Sequence, residues 1–442
     1  MALQFKKPSN PTPPTNINQN NNNYDPRFRF EPTTIRIPGL PHGLPFGATL
    51  EHNAVLPVRQ NYTPPPLAMP GADLPRALNY YADYHGCGWW RMIMPEIALN
   101  INQKAIINGL TSMCGDPNFY FQNLKAVKLQ RQATPMQLKF VEFLKAHSHH
   151  FGFKVIYEVD DIIFKDDIPL FNRCRDAFDN PDILESSKAM MSMADEITVT
   201  CQFMKDYYIN KTGNKNITVI PNYPLKMWFD GFYNRDQLER KYDKYKNKPR
   251  IGYFGSGTHF DVVNRTNQQD DFSHVIQNII KSRKDFTWVF IGSYPLSVKP
   301  FIDNGEMEYI GWSQLLQYPK SFVDANVNAV YAPLMDCTFN KAKSNIKFLE
   351  AACIGIPGIF QDLITYKDAL LKFTSGNDLI DQLKYLTSSK DVYMKFSTKS
   401  RQYAETMWLD DHTDEHVEAY FTKIGDSKRI KLLDLNPDQR KV

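Results

Sequence analysis

In the stretch KAKSNIKFLEAACIGIPGIF, Lys341 to Phe360, three charged residues are spaced for chemistry: Lys343, Lys347 and Glu350, at intervals of four and three. At about 100° per residue they share one narrow helix face, with Phe348, Leu349, Ala352 and Cys353 on the opposite, core-like side. One reading is a solvated face with a Lys347–Glu350 pair contributing a few tenths of a kcal/mol. The other is a ligand face. Free amides at the helix start, around Ser344 and Asn345, would join the two lysines to hold a phosphate, and Glu350 would accept from vicinal hydroxyls such as a ribose carries. Three other groupings stand out. YEVDDIIF carries adjacent carboxylates, Asp160 and Asp161, which can orient a hydroxyl, stabilise positive charge or simply cap a turn. YADYHGCGWWR sets Gly86 and Gly88 among Tyr84, His85, Trp89, Trp90 and Arg91. Its glycines allow close backbone approach, or the loop is a tight turn with both tryptophans in the core. GSGTHFD offers Gly255, Ser256 and Gly257 with His259 close by.

The elements that must position these residues alternate between strand and helix. ALNYYA reads as a strand, the glycine loop follows it, and a helix is expected over roughly 95–108. Strands at AVKLQR, KVIYEVDDIIF, EITVTC and NITVIPN are separated by helices, one of them started by Thr134-Pro135 and one stopped at Gly213. A second alternation begins at RIGYFGSGTHFD and runs through FTWVFIGS, MEYIGW, VNAVYAPL and IPGIFQD into C-terminal helices. Apolar strands alternating with helices predict parallel sheets covered on both faces. In such sheets ligands bind at the carboxyl edge of the strands, and the Lys343–Glu350 helix starts there.

The expected organisation is a Pro- and Asn-rich disordered tail over 1–25 and an irregular extension over 26–77. A first doubly wound domain over 78–223 and a basic linker over 224–249 follow, then a second domain over 250–425 and a tail over 426–442. With 442 residues, two cores are the default. A formal charge of +4 permits a polyanionic partner without requiring one. The start of the chain lacks the apolar core of a secretory signal, and no apolar run reaches the length of a membrane span. Six scattered cysteines, without metal-ligand spacing, fit reduced thiols in a cytoplasm.

Two doubly wound halves, the FLEAACIGIPGI helix and the RIGYFGSGTH strand and loop resemble retaining glycosyltransferases of the GT-B fold, in the glycogen-synthase-like group called family 4. The resemblance implies a uridine-diphosphate sugar as co-substrate, no required cofactor or metal, and Glu350 on the nucleotide ribose. It assigns Gly255, Ser256, Gly257, Lys343, Ser344, Asn345 and Lys347 to the donor, and Asp160, Asp161 and His259 to the reaction centre. The family's first glutamate falls at Ala342 here, which leaves the donor sugar open. The chain also resembles the glycosyltransferases of T-even-like bacteriophages that modify 5-hydroxymethylcytosine in DNA, nearest the arabinosyltransferase type. That implies arabinose or another pentose, or glucose, as the sugar, the host cytoplasm as location and double-stranded DNA as partner. The acceptor would then be met by Tyr84, His85, Gly86, Gly88, Trp89, Trp90 and Arg91, with Lys244 and Lys246 of RKYDKYKNKPR on the phosphates. A glycan or lipid-carrier acceptor, and a non-catalytic binding protein on the same fold, are the alternatives.

Overall fold

The computed structural model describes residues 74–110, 121–261 and 269–422. The expected tails over 1–25 and 426–442, and all but the end of the extension over 26–77, lie outside the described residues. Two six-stranded sheets form the frame. The first holds β1 (Arg76–Tyr80), β2 (Ile106–Leu110), β3 (Leu124–Gln130), β4 (Lys154–Glu158), β5 (Glu196–Val199) and β6 (Ile217–Val219), in the order β2-β1-β3-β4-β5-β6. The second holds β7 (Arg250–Gly255), β8 (Thr287–Gly292), β9 (Glu308–Ile310), β10 (Ala329–Ala332), β11 (Gly358–Gln361) and β12 (Leu371–Phe373), in the order β12-β11-β10-β7-β8-β9. Neighbouring strands pair in parallel. Their apolar residues, such as Val127, Leu129, Val155 and Tyr157 in one sheet and Ile251, Tyr253, Phe290 and Ile359 in the other, are buried under helices.

Local signals explain most elements. Thr134 caps the helix Pro135–Phe151 by accepting from the Gln137 amide at 3.2 Å, while the Gln137 side chain accepts from the Thr134 amide at 2.9 Å. Gly152, at φ 75°, ends it.

Two expectations change. The helix after the glycine loop stops at Ile101, and 106–110 is the edge strand β2. Asn102 ends the helix and Gln103 takes φ 52°, so the chain turns and the branched pair Ile106-Ile107 enters the sheet. The segment over 224–249 carries a helix, Arg235–Tyr245, which buries Leu238 and Tyr242 and sets Tyr242 against Tyr393 of the helix Lys390–Glu405. The chain then returns to its first half. The helix Thr413–Phe421 brings Tyr420 onto Ala77, Ile107 and Ile156, with its hydroxyl donating to Asn79 Oδ1 at 2.7 Å.

The Gly-x-Pro stop fixes where the helix Ile346–Cys353, which carries Lys347 and Glu350, ends. Gly355 has φ 72°, its carbonyl accepts from Ser397 Oγ at 2.6 Å, and a β-carbon on it would press into Tyr233 and Leu238. Gly355→Ala is therefore expected to destabilise the chain by roughly 1–3 kcal/mol, read as a lowered urea midpoint.

Candidate functional site

The carboxyl edges of the two sheets meet. Lys343 Nζ of the second half lies 3.8 Å from Asp161 Oδ1, which follows β4. Phe339 and Ala342 pack into the core of the first half, and the Ala342 carbonyl accepts from Cys201 Sγ at 3.8 Å. The Trp90 side chain, from the first half, lies close enough to Glu350 to favour its ionised form.

On the second half, the helix Ile346–Cys353 starts at this edge, so Lys347 and Glu350 lie on it while Lys343, expected on the same helix face, sits in the bend ahead of it. Lys347 Nζ donates to His259 Nε2 at 3.0 Å, and His259 Nδ1 lies 2.7 Å from Asp271 Oδ2. Asp271 Oδ1 accepts from the Met335 amide at 2.8 Å and from Asn340 Nδ2 at 2.6 Å. Burial, then Lys347 and Lys343, hold the His259 pKa well below its usual value. The ring is thus neutral, its Nδ1–H donating to Asp271 and its Nε2 accepting from Lys347. Burial, reinforced by Lys343, lowers Lys347 to about 8. Lys343 behaves oppositely. Burial works against its charge, yet Asp161 and Asp271 hold its pKa above the ordinary value. Burial raises Asp271 to about 6.

Glu350 is buried and its Oε2 accepts from Tyr318 OH at 2.8 Å. The solvated-face reading of the stripe therefore fails for this residue. The turn after β7 is closed by Ser256, whose Oγ lies 2.7 Å from Thr258 Oγ1. Gly255 pairs with Gly292 at the ends of β7 and β8.

On the first half, the Asp83 carboxylate occupies the start of the glycine-loop helix. Its Oδ1 accepts from the His85 amide at 2.8 Å and the Gly88 amide at 3.0 Å. A β-carbon on Gly88 would overlap the Asp83 carbonyl, so that glycine is required by close approach. Arg131 pairs with Asp83 at 3.0 Å and with Asp160 at 3.4 Å.

Several expected acceptor contacts are spent elsewhere. Tyr84, Trp89 and Trp90 are buried, and Trp89 meets Trp228 edge-on at 5.2 Å. Arg91 is buried beneath the site, with its Nε 2.7 Å from Glu158, which Lys128 also contacts at 3.0 Å. Its Nη1 donates to the Ile220 carbonyl at 2.7 Å. The helix that begins in the glycine loop winds these side chains inward, so they are core and not a stacking surface. His85 and Gly86 remain exposed at the loop tip. Lys244 and Lys246 are also exposed, at the end of Arg235–Tyr245, and no contact among the described residues joins them to the cleft.

Sequence reading missed Asp83, Arg131, Asp271 and Tyr318. Asp83 had a signal, being two residues before His85 in an Asp-x-His-Gly turn. Asp271 had none, since it reaches His259 from twelve residues away. Among the described residues, no group of three or more His, Cys, Asp and Glu side chains has metal-site geometry, and no helix is long and apolar enough to cross a membrane.

No protein-family model matches this sequence, and no curated protein matches it. Solved structures do. An alpha-glucosyltransferase in complex with UDP and a 13-mer DNA containing an HMU base superposes with a TM-score of 0.51 at 10% identity, over 79% of this chain and 99% of that one. HepE of Anabaena, in complex with UDP-glucose, gives 0.49 at 9% identity, over 78% and 98%. The chain has the GT-B fold.

The buried carboxyl of Glu350 yields a pH prediction. Burial raises it to about 7, so the folded chain binds more protons than the unfolded one between the ordinary glutamate range and that value. Stability contributed by this group falls as pH rises through that window. Glu350→Gln should therefore change stability differently on the two sides of it. The variant should gain up to about 3 kcal/mol relative to wild type on going from pH 4.5 to pH 8, as urea unfolding at the two pH values will show.

Proposed function

We propose that this protein is a retaining glycosyltransferase that moves a sugar from a uridine-diphosphate donor to the hydroxymethyl group of 5-hydroxymethylcytosine in DNA. The observation that carries the reading is the pairing across the cleft. Lys343, just ahead of the helix that carries Lys347 on one half, faces a carboxylate, Asp161, on the other.

In this reading the helix amides, Lys343 and Lys347 stabilise the leaving diphosphate, where negative charge develops. Glu350 accepts from the ribose hydroxyls. One carboxylate of the adjacent pair, Asp160 or Asp161, orients the acceptor oxygen and offsets positive charge at the sugar carbon. That oxygen attacks from the face the phosphate leaves, and the departing phosphate takes its proton. Bond breaking and forming on one face retain the anomeric configuration. The sugar, arabinose or another pentose or glucose, is left open by Ala342, whose buried methyl offers no carboxylate to it.

Trp312 is proposed as the platform for the uracil ring. It is 64% exposed just beyond β9, and its ring lies 3.6 Å from where a β-carbon on Gly292 would sit. Gly292, at φ 91°, ends β8 beside Gly255. Two strand spacings, about 10 Å, separate the end of β7 from that of β9, a span that suits a diphosphate at one end and its base at the other. For the acceptor, the reading is supported by the sequence resemblance and by a fold neighbour crystallised with UDP and modified DNA. The target base must leave its stack to reach the cleft, and Lys244 and Lys246 are candidate phosphate contacts.

Mass spectrometry of hydroxymethylated DNA after incubation with UDP-arabinose, UDP-glucose and other UDP-sugars is the test. One sugar should add per modified cytosine, with or without a chelator. Trp312→Ala should weaken UDP binding by roughly tenfold or more, from the roughly 1–3 kcal/mol of a base stacked on an aromatic ring. Transfer to a glycan or lipid carrier with none to DNA would overturn the acceptor. Binding of UDP with no transfer to any acceptor would leave a binding protein.

A further inference from the structure

The two adjacent aspartates after β4 are not equivalent, and Arg131 is what separates them. Arg131 follows β3 directly and has φ 39°, a left-handed backbone that a side chain adopts only under constraint. Its amide still continues the ladder by donating to the Glu158 carbonyl at 2.9 Å. The kink leaves the guanidinium between two loops of the first half. Nη2 reaches Asp83 Oδ2 at 3.0 Å, in the loop after β1, and Nε reaches Asp160 Oδ1 at 3.4 Å, in the loop after β4. Asp83 is fully used, since its other oxygen takes the His85 and Gly88 amides. Asp160 is turned inward and 11% exposed, with the Cys87 thiol beside it. Asp161 points the other way. Its side chain is 29% exposed, and its ion-pair partner is Lys343 of the opposite half. Tyr208 OH fixes its carbonyl at 2.7 Å.

We propose that Arg131 is a positioning residue that holds Asp160 and the glycine loop together as structure, leaving Asp161 as the carboxylate that meets the acceptor hydroxyl. This rests on the transferase reading above and assigns the work of the aspartate pair to one member. The groups facing Arg131 are Asp83, Cys87, Asp160 and Asp161. Of these, Asp160 has no other cation within ion-pair distance among the described residues. Without Arg131, a poorly solvated carboxylate would stand beside Asp161 and disturb it by like charge. Neutralising Asp160 would remove that conflict, because Asp83 keeps its two backbone donors.

Four variants test this: Asp160→Asn, Asp161→Asn, Arg131→Gln and the double Arg131→Gln/Asp160→Asn. In sugar transfer, Asp161→Asn should lower kcat by about 100-fold or more while UDP affinity by calorimetry stays within about threefold of wild type. Asp160→Asn should stay within about threefold in kcat. Arg131→Gln should lose about tenfold or more in kcat with donor KM little changed, and adding Asp160→Asn should restore most of it. A purely structural Arg131 would have its stability rescued by the double variant without kcat returning. A larger loss from Asp160→Asn than from Asp161→Asn, or kcat losses that simply multiply in the double variant, would overturn the assignment. Urea unfolding of these variants and of a second double, Arg131→Gln/Asp161→Asn, reads the pairing without any activity. The double variant should unfold at higher urea than Arg131→Gln alone, whereas Arg131→Gln/Asp161→Asn should not. Absence of that difference overturns the inference even if transfer is observed. Wild type that binds no UDP and transfers no sugar overturns the transferase reading instead, and the assignment of Asp161 to the acceptor falls with it.

Discussion

Two ammonium groups four residues apart in sequence, both partly shielded from water, repel each other and lose hydration. Keeping Lys343 and Lys347 in that arrangement is the constraint on which the rest of the site depends. The protein meets it unequally. Lys343 is offset by carboxylates on both sides of the cleft, Asp161 and Asp271. Among the described residues, Lys347 has only a neutral imidazole within hydrogen-bond reach, and that imidazole is in turn oriented by Asp271. The consequence is a site with charge held ready and incompletely matched. A diphosphate would supply the missing negative charge, and it would do so where helix amides already point.

The same constraint ties the two halves together. Asp161 can face Lys343 only if the carboxyl edges of the sheets stay opposed. Two devices keep them so. The loop ahead of the helix Ile346–Cys353 pushes Phe339 and Ala342 into the core of the first half. The last described helix crosses back, setting Tyr420 over Lys128 at 5.1 Å and onto β1. Beneath the site, Arg91, Lys128 and Glu158 form a buried ionic group that Thr198 also contacts. Breaking such a group leaves an uncompensated charge, so it favours one arrangement of the glycine loop over others.

Periodicity made the Lys347 and Glu350 face legible, because both lie on the helix Ile346–Cys353 and helical spacing converts directly into a shared direction, whereas Lys343 reaches the cleft from the bend ahead of that helix, which helical spacing does not encode. The strand–helix alternation made both sheets legible for the same reason, apart from β2. There an Asn102–Gln103 turn interrupts what looks like one apolar helix, and a left-handed Gln103 is not a residue choice that announces itself. The glycine loop misled in a different way. Its aromatic and basic residues look like recognition groups, but a helix starting at Gly86 carries Trp89, Trp90 and Arg91 into the core. Asp271 and Tyr318 act on His259 and Glu350 from other elements, and such contacts depend on tertiary packing that spacing does not encode.

The central claim, that the lysines and Glu350 await a uridine diphosphate, is most directly tested by counting protons on binding. Calorimetric titration of UDP in buffers of different ionisation heat gives that count. Lys347 titrates at about 8 and Glu350 at about 7 in the free protein. A diphosphate beside Lys347 favours its charged form, and ribose hydroxyls donating to Glu350 favour its ionised form. Binding should therefore take up protons at pH 8, where Lys347 is about half charged. It should release them at pH 7, where Glu350 is about half protonated and the terminal phosphate loses its last proton in the same direction. A count that changes sign between those two pH values is the predicted result. UDP binding with the same proton count at both, or no binding heat at all, would contradict the account.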